Sequence, residues 1–140
     1  MDTLKGLSIQ QPWIDMILRG VKTLELRAFE VRDRGMVALH APMRIDYSAA
    51  YFYGYQEPWL LPRQGVLAVA EISDVWELDA ESWIITLDRH RQPLPFAGGV
   101  YGIRLENVRR LRRRVDCKGR PGLFSFPPAV ASQVFANLGV

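Results

Sequence analysis

Hydrophobic positions between Leu7 and Arg27 change from helical to alternating spacing within one short stretch of the chain. Apolar residues recur at i, i+3 and i+4 in its first half, at Trp13, Met16 and Ile17, which predicts a short amphipathic helix. A strand is predicted before this helix, and β-branched residues favour extended chain after it. The stretch therefore predicts a strand–helix–strand unit, and we interpret it as the functional element.

Two residues predict where this helix begins and ends. Pro12 suits the first helical position, because the backbone N–H that it lacks would have no partner there, and this makes Gln11 the predicted N-cap. Gly20 suits the position after the last helical residue, because glycine readily adopts the left-handed conformation that ends a helix. Lys22 is therefore expected at the turn between the helix and the following strand.

Alternation in that following strand predicts one apolar face and one polar face. Leu24 and Leu26 share one face, while Glu25 and Arg27 share the other. With Lys22, an amine, a carboxylate and a guanidinium lie within six residues of sequence. Such a group can attract an anion or a polarised carbonyl, and its carboxylate can accept a proton or orient a base edge. The alternative is a surface strand with an exposed ion pair, which contributes little to stability.

Apolar runs later in the chain predict four more strands. They span Met36–Ala41, Val66–Val75, Val100–Val115 and Leu123–Phe126. The second of these is apolar on both sides, as expected for a strand with core on each face. Short helices are predicted after Asp46, between Asp79 and Arg91, and after Pro127–Pro128. The sequence therefore predicts an α+β fold.

The length and composition of the chain limit the class of protein to which it can belong. Its 140 residues predict one domain spanning 1–140, and 49% hydrophobic with 24% charged residues is typical of a globular protein. No apolar run approaches the roughly 20 residues of a membrane helix, and the start of the chain does not resemble a signal peptide. Its one cysteine cannot form an intramolecular disulfide. A cytoplasmic location without membrane contact is therefore the expectation.

Arginine dominates the basic residues. The chain has fifteen arginines against three lysines and a net charge of +3. Arginine suits phosphate and base contacts, because its planar fork binds bidentately and stacks. Five arginines are clustered near the end of a predicted strand: Arg109, Arg110, Arg112, Arg113 and Arg114. They are expected to track a phosphate backbone, with a solvated charged face as the alternative.

Three further features outside the first unit could contribute to a site. His40, near a strand end, could hydrogen-bond a ligand or could be structural, and it lacks neighbours at metal-ligand spacing. Glu71 could supply a second acid to the cleft or could face solvent. The aromatic segment Tyr47–Tyr55 could stack on bases, form core, or bind a protein partner. Neither a metal nor a cofactor is expected.

The run Leu7-Ser8-Ile9, Gln11-Pro12-Trp13, followed by Gly20-x-Lys22-x-x-Glu25-x-Arg27, resembles the ASCH domain, a branch of the PUA-like β-barrels. Lys118-Gly119 followed by Gly122-Leu123-Phe124 is similar to the closing strand of these domains. The resemblance implies a PUA-like, mixed and mostly antiparallel β-barrel of five or six strands with flanking short helices.

The resemblance also implies a cleft that faces nucleic acid or a nucleoside. The leading hypothesis is binding of RNA, preferred over DNA, in a cleft around the motif. The residues expected to contact the ligand are Gln11, Trp13, Lys22, Glu25, Arg27 and His40. An amidohydrolase of an acylated nucleoside such as N4-acetylcytidine is second, and a metal-independent ribonuclease is third.

If the protein is an enzyme, Lys22, Glu25 and Glu71 are the expected catalytic residues. Burial and Arg27 would lower the pKa of Lys22, so that it acts as base or nucleophile, and the acids would move protons. In the amidohydrolase relatives a threonine occupies the position of Glu25, which is a departure in this chain.

Overall fold

Six strands and five short helices make up the part of the chain that this computed structural model describes, residues 3–138. The strands are β1 Lys5–Ser8, β2 Leu24–Arg27, β3 Gly35–Ala41, β4 Gly65–Glu77, β5 Tyr101–Asp116 and β6 Leu123–Ser125. The helices are α1 Trp13–Leu18, α2 Tyr47–Phe52, α3 Ala80–Ile85, α4 Leu87–His90 and α5 Pro128–Ala136, with a 3₁₀ turn at Pro58–Leu60. Among residues 3–138, no helix combines the length and the apolar character needed to cross a membrane.

The strands form one sheet in the order β2-β5-β4-β3-β1-β6. β1 pairs with β3 in parallel, and the other neighbouring strands pair antiparallel. The long strands β4 and β5 shift register three times along their pairing, and such bulges bend a strand and increase its twist. The result is a mixed, mostly antiparallel half-barrel with short flanking helices, which confirms the predicted fold class.

Both faces of this sheet carry apolar core. On one face, Ala68 and Ala70 of β4 belong to a cluster that includes Ile14 of α1. On the other face, Val66 and Val69 of the same strand belong to a cluster closed by Ala131 and Val134 of α5. The sequence predicts that β4 is apolar on both sides. The reason is that each side of this strand packs against its own core.

Helix α1 begins at Trp13, one residue later than predicted. Pro12 has φ −88° and ψ 3°, so it stands outside the helix as its cap residue. Gln11 still satisfies a helix donor, because its side-chain oxygen accepts a hydrogen bond from the backbone N–H of Asp15 at 3.1 Å. The predicted end is confirmed, since Gly20 has the left-handed φ of +76°.

Candidate functional site

Lys22 lies in the turn that follows α1, and its side chain points into the protein. The backbone N–H groups of Val21 and Lys22 both donate to the carbonyl of Met16, at 2.9 and 3.2 Å, which closes the helix end tightly. Gly20 makes this reversal possible through its positive φ. As a result the Lys22 residue is only 3% exposed.

Three groups hold the buried amine of Lys22. Its Nζ donates to the backbone carbonyl of His90 at 2.7 Å and lies 3.4 Å from Oε1 of Glu25. It also sits 4.8 Å from the ring centroid of Trp13, in cation–π contact. Burial lowers the pKa of Lys22, as does the charge of Arg27, while Glu25 opposes the shift.

Glu25 joins this amine to the guanidinium of Arg27. Its Oε2 lies 2.6 Å from Nη1 of Arg27, so each carboxylate oxygen contacts one cation. Nη2 of Arg27 donates to the backbone carbonyl of Ser8 in β1, which links this edge of the sheet to the far side of the half-barrel. Alternation along β2 places Glu25 and Arg27 on one face, as predicted, but Glu25 is buried and not solvent-exposed. The result is a cation–anion–cation triad in which Lys22 and Glu25 are buried and Arg27 is partly exposed.

The triad lies at the floor of a cleft of about 620 Å³. Trp13, Leu26 and Phe29 contribute apolar surface, while Gln10 and Gln92 contribute side-chain amides. The remaining residues that line the cleft are Ser8, Lys22, Glu25, Arg27, Pro42, Arg44, Gly119, Arg120, Pro121 and Gly122. The lining therefore holds four cations and one carboxylate. An anionic ligand with an aromatic part suits such a surface.

Two of these cations, Arg44 and Arg120, are exposed residues on loops at the rim of the cleft. Arg120 is carried by a loop between Gly119 and Gly122. A Cβ on Gly119 would collide with the imidazole of His40 and would lie 2.7 Å from Oγ of Ser8, so only glycine lets this loop approach the sheet closely. The loop thus places a guanidinium at the cleft.

Sequence reasoning missed most of the cleft wall, including Gln10, Phe29, Arg44, Gln92 and Arg120. The spacing Gly119-x-x-Gly122 was noticed as part of a closing strand, and its two glycines were the available signal for a loop that approaches the sheet. No pattern marked the others, because they reach the cleft from separate loops.

Gln11 and His40, both predicted ligand contacts, are buried and satisfied within the protein. The amide nitrogen of Gln11 donates to the carbonyl of Pro62 at 2.9 Å, while its oxygen caps α1. Nε2 of His40 donates to the carbonyl of Cys117 at 2.9 Å, which leaves Nδ1 to accept from the hydroxyl of Ser8 at 3.2 Å. Burial lowers the pKa of His40 and favours this neutral form. Neither residue lines the cleft.

Glu71 and the arginine cluster also lie away from the cleft. Glu71 is exposed on β4 and accepts a hydrogen bond from Nδ2 of Asn107 at 3.2 Å. Arg112 donates to the carbonyl of Ala136 at 2.9 Å and so fixes the end of α5. Arg109, Arg110, Arg113 and Arg114 are exposed on β5. None of these residues is brought to the Lys22 triad.

The aromatic segment divides between core and surface. Ala49 and Ala50 of α2 are buried, whereas Tyr47 and Tyr51 are exposed, with ring centroids 6.1 Å apart. Tyr53 packs edge-on against Trp13 at 5.9 Å. Within residues 3–138 there is no group of three or more His, Cys, Asp or Glu residues that could hold a metal ion.

No protein-family model matches the chain, and no curated protein matches its sequence. Solved structures do match its fold. The crystal structure of ASCH from Zymomonas mobilis superposes with a TM-score of 0.67, at 11% identity, over 94% of this chain and 93% of that chain. A serine-to-alanine mutant of ZmASCH superposes at 0.61, with 12% identity and 94% of each chain covered. A tyrosine-to-phenylalanine mutant gives 0.60, with 11% identity and 96% and 98% covered.

This half-barrel therefore has the ASCH fold, as the G-x-K-x-x-E-x-R motif predicts. At 11–12% identity the likeness is one of fold, over nearly the whole length of both chains.

Proposed function

We propose that this protein binds single-stranded RNA and takes one nucleotide into the cleft above the Lys22–Glu25–Arg27 triad. The observation that carries the proposal is the composition of the cleft wall, which joins aromatic surface to four cations. Its volume of about 620 Å³ lies within the usual range for small-ligand sites, roughly 300–1,000 Å³. The ligand class is thus one that carries both a ring and negative charge.

The phosphate of this nucleotide would meet the exposed arginines at the rim. Arg44 and Arg120 have solvated guanidinium groups, whose fork geometry matches phosphate oxygens. The floor cations are less available, because Lys22 and Arg27 already donate to Glu25 and to backbone carbonyls. They would set a positive potential at the floor and leave the direct contacts to the rim.

The base would lie against the ring of Phe29, which is exposed and lines the cleft. Stacking on an aromatic ring contributes about 1–3 kcal/mol per base and tolerates any sequence. Gln10 and Gln92 offer amides that can both donate to and accept from a base edge. Single-stranded RNA fits because its bases are free to leave the stack.

The arginines of β5 would supply a second, weaker contact. Arg109, Arg110 and Arg113 are exposed and lie outside the cleft, so a longer strand could reach them through its phosphates. Such contacts release counterions and depend on salt. They would add affinity without selecting the nucleotide in the cleft.

Fluorescence anisotropy of a labelled RNA hexamer at low and moderate salt tests the proposal. We expect the wild-type protein to bind, Arg120→Ala to weaken binding about tenfold through loss of a charge-assisted phosphate contact, and a DNA hexamer of the same sequence to bind less well. Arg32→Ala is the matched control, because Arg32 is an exposed arginine outside the cleft. Equal binding by Arg120→Ala and Arg32→Ala would contradict the proposal.

A second candidate function, hydrolysis of an acylated nucleoside, is favoured by one observation, the lowered pKa of the buried Lys22. A lowered pKa raises the fraction of the amine that is deprotonated, and a deprotonated amine can act as a base or a nucleophile. Against this, Glu71 lies outside the cleft, so Glu25 is the acid near the amine. Incubation with N4-acetylcytidine, followed by chromatography for cytidine, tests this candidate. The same chromatography applied to RNA would reveal a ribonuclease.

A further inference from the structure

A smaller depression of about 360 Å³ adjoins the cleft. It lies between α2, α4 and the loop after α4. Its lining consists of Phe52, Tyr53, Leu87, Asp88, Arg91, Gln92 and Pro93. Gln92 also lines the main cleft, so the two spaces adjoin at this residue.

Hydrogen bonds fix the wall of this depression to the Lys22 turn. The hydroxyl of Tyr53 donates to the carbonyl of Arg91, and Nε of Arg91 donates to the carbonyl of Val21 at 2.9 Å. The backbone N–H of Gln92 donates to Nδ1 of His90 at 3.0 Å, and His90 in turn holds the amine of Lys22 through its carbonyl. Hydrogen bonds therefore connect the depression directly to the cleft floor.

Phe52 places an exposed aromatic ring at this depression. It is 65% exposed, although phenylalanine has no polar atom to gain from water. Its ring meets Tyr53 edge-on at 5.0 Å, and Tyr53 meets Trp13 of the cleft floor edge-on at 5.9 Å. A continuous series of aromatic rings thus leads from the cleft floor to this exposed ring.

The depression is also lined by a cation, Arg91. The Nε of Arg91 is engaged, but its two terminal nitrogens donate to no other group within residues 3–138. Asp88 at the same depression offers a carboxylate that can accept from a base amine. An aromatic ring, the two terminal nitrogens of a guanidinium and a carboxylate acceptor are groups that suit a nucleotide.

We propose that this depression is a second nucleotide subsite, in which the base next to the one in the cleft stacks on Phe52 and its phosphate contacts Arg91. The inference rests on the proposed function, since it assumes RNA in the main cleft. A nucleotide is favoured over a protein partner, because the space shares Gln92 with the cleft and carries the same pairing of aromatic ring and cation.

Competition binding with unlabelled RNAs of one, two, four and six nucleotides against a labelled hexamer tests the subsite. Wild-type affinity should rise between one and two nucleotides. Phe52→Ala should lose about tenfold in affinity for the longer RNAs, because one stacked base is lost, and should bind the mononucleotide unchanged. Phe52→Trp should retain the gain with length, whereas Phe52→Leu, which keeps apolar bulk without a ring, should lose it.

Tyr51→Ala is the matched control, because Tyr51 is an exposed aromatic residue of the same helix that does not line the depression. If Phe52→Ala binds every length as the wild type does, the subsite is refuted while RNA binding stands. Weaker binding of the mononucleotide by Phe52→Ala would also refute it, since the ring would then act within the cleft. If the wild type binds no RNA of any length, the proposed function is refuted, and the subsite proposal is refuted with it.

Discussion

The floor and the rim of the cleft use the same kinds of charged residue in opposite ways. At the floor, Lys22 and Arg27 are bound to Glu25 and to backbone carbonyls, and water is largely excluded. At the rim, Arg44 and Arg120 stand in solvent on loops. Breaking a buried ion pair is costly, because the remaining charge stays desolvated, whereas an exposed charge loses little when its partner is removed.

The motif residues at the floor and the residues that contact a ligand can therefore be different residues. Substitution at the floor should act first on folding, and substitution at the rim should act first on binding. A loss of RNA binding in a Lys22 variant would therefore need a stability measurement before it could be read as a lost contact.

The largest effect is expected for Glu25→Gln. This change keeps the shape of the side chain but leaves Lys22 and Arg27 as two neighbouring cations in a buried site. We expect the free energy of unfolding to fall by about 3–5 kcal/mol, the usual cost of removing one partner of a buried ion pair. Urea denaturation at neutral pH measures this change.

Glu71→Gln is the control for that experiment. Glu71 is an exposed glutamate whose partner is a neutral amide, so its loss should change stability by less than about 0.5 kcal/mol. Similar unfolding midpoints for the two variants would show that the floor is not held by its charges.

A smaller loss is expected for Lys22→Met, which keeps the apolar stem and removes the amine. The carbonyl of His90 then lacks its donor, at a cost of about 1–3 kcal/mol, while Arg27 still neutralises Glu25. The same urea measurement, with Lys118→Met as the exposed-lysine control, checks the size of this loss.

The Lys22→Met variant also carries a pH signature. Burial lowers the pKa of Lys22 below its ordinary 10.5. Between the lowered pKa and 10.5 the unfolded chain binds more protons than the folded chain, so the Lys22 contribution to stability rises with pH in that window. The stability difference between wild type and Lys22→Met should therefore grow in favour of the wild type as pH approaches 10.5. A constant difference would contradict the burial of a charged amine.

The sequence predicts the helix, turn and strand that carry this site, because the patterns that specify them lie within one short stretch. Helix periodicity, Gly20 and strand alternation lie within one stretch, and they correctly placed Lys22 in a turn, with Glu25 and Arg27 on one face of β2. The strands were also predictable, since alternation is a property of neighbouring residues. Local pattern therefore gave both the elements and the triad.

Long-range packing accounts for what the sequence did not reveal. Gln11 and His40 looked available as polar residues near element ends, yet their partners Pro62 and Cys117 lie 51 and 77 residues away. Arg44 and Arg120 line the same cleft from two separate loops. Contacts between residues that are distant in the sequence form only in the folded protein, and they produce no periodic pattern in the sequence.

At the rim, the double variant Arg44→Ala/Arg120→Ala should reduce RNA affinity without unfolding the protein. Each lost phosphate contact lowers the slope of log K against log salt by about 0.7 for a single strand, so the double variant should lose roughly 1.4 in slope. Anisotropy titrations over a range of salt concentrations measure this change. An unchanged slope alongside weaker binding would indicate that these arginines act on loop structure and not on phosphate.

The smallest loss of stability is expected from a hydrogen-bond network beside α1. Its exposure to solvent is intermediate between that of the floor and that of the rim. Tyr55 donates its hydroxyl hydrogen to Oδ2 of Asp15 at 2.6 Å and accepts from Nη2 of Arg19 at 2.5 Å. Tyr55→Phe removes both bonds at a half-buried position, and we expect a loss of about 1 kcal/mol at neutral pH.

The pH dependence of this variant is opposite in sign to that of Lys22→Met. Burial, together with the hydrogen bond to Asp15, raises the pKa of Tyr55 from 10.0 to about 12. The folded chain then keeps a proton that the unfolded chain releases, so the Tyr55 contribution is complete below pH 10 and is lost as pH rises toward 12. Urea denaturation from pH 7 upward should show wild-type stability converging on that of Tyr55→Phe, whereas Tyr51→Phe, at an exposed ring, should run parallel to the wild type. If the difference in free energy of unfolding between wild type and Tyr55→Phe stays constant through this range, folding does not raise the pKa of Tyr55. Burial would then shift the pKa of Lys22 in the triad but not that of Tyr55.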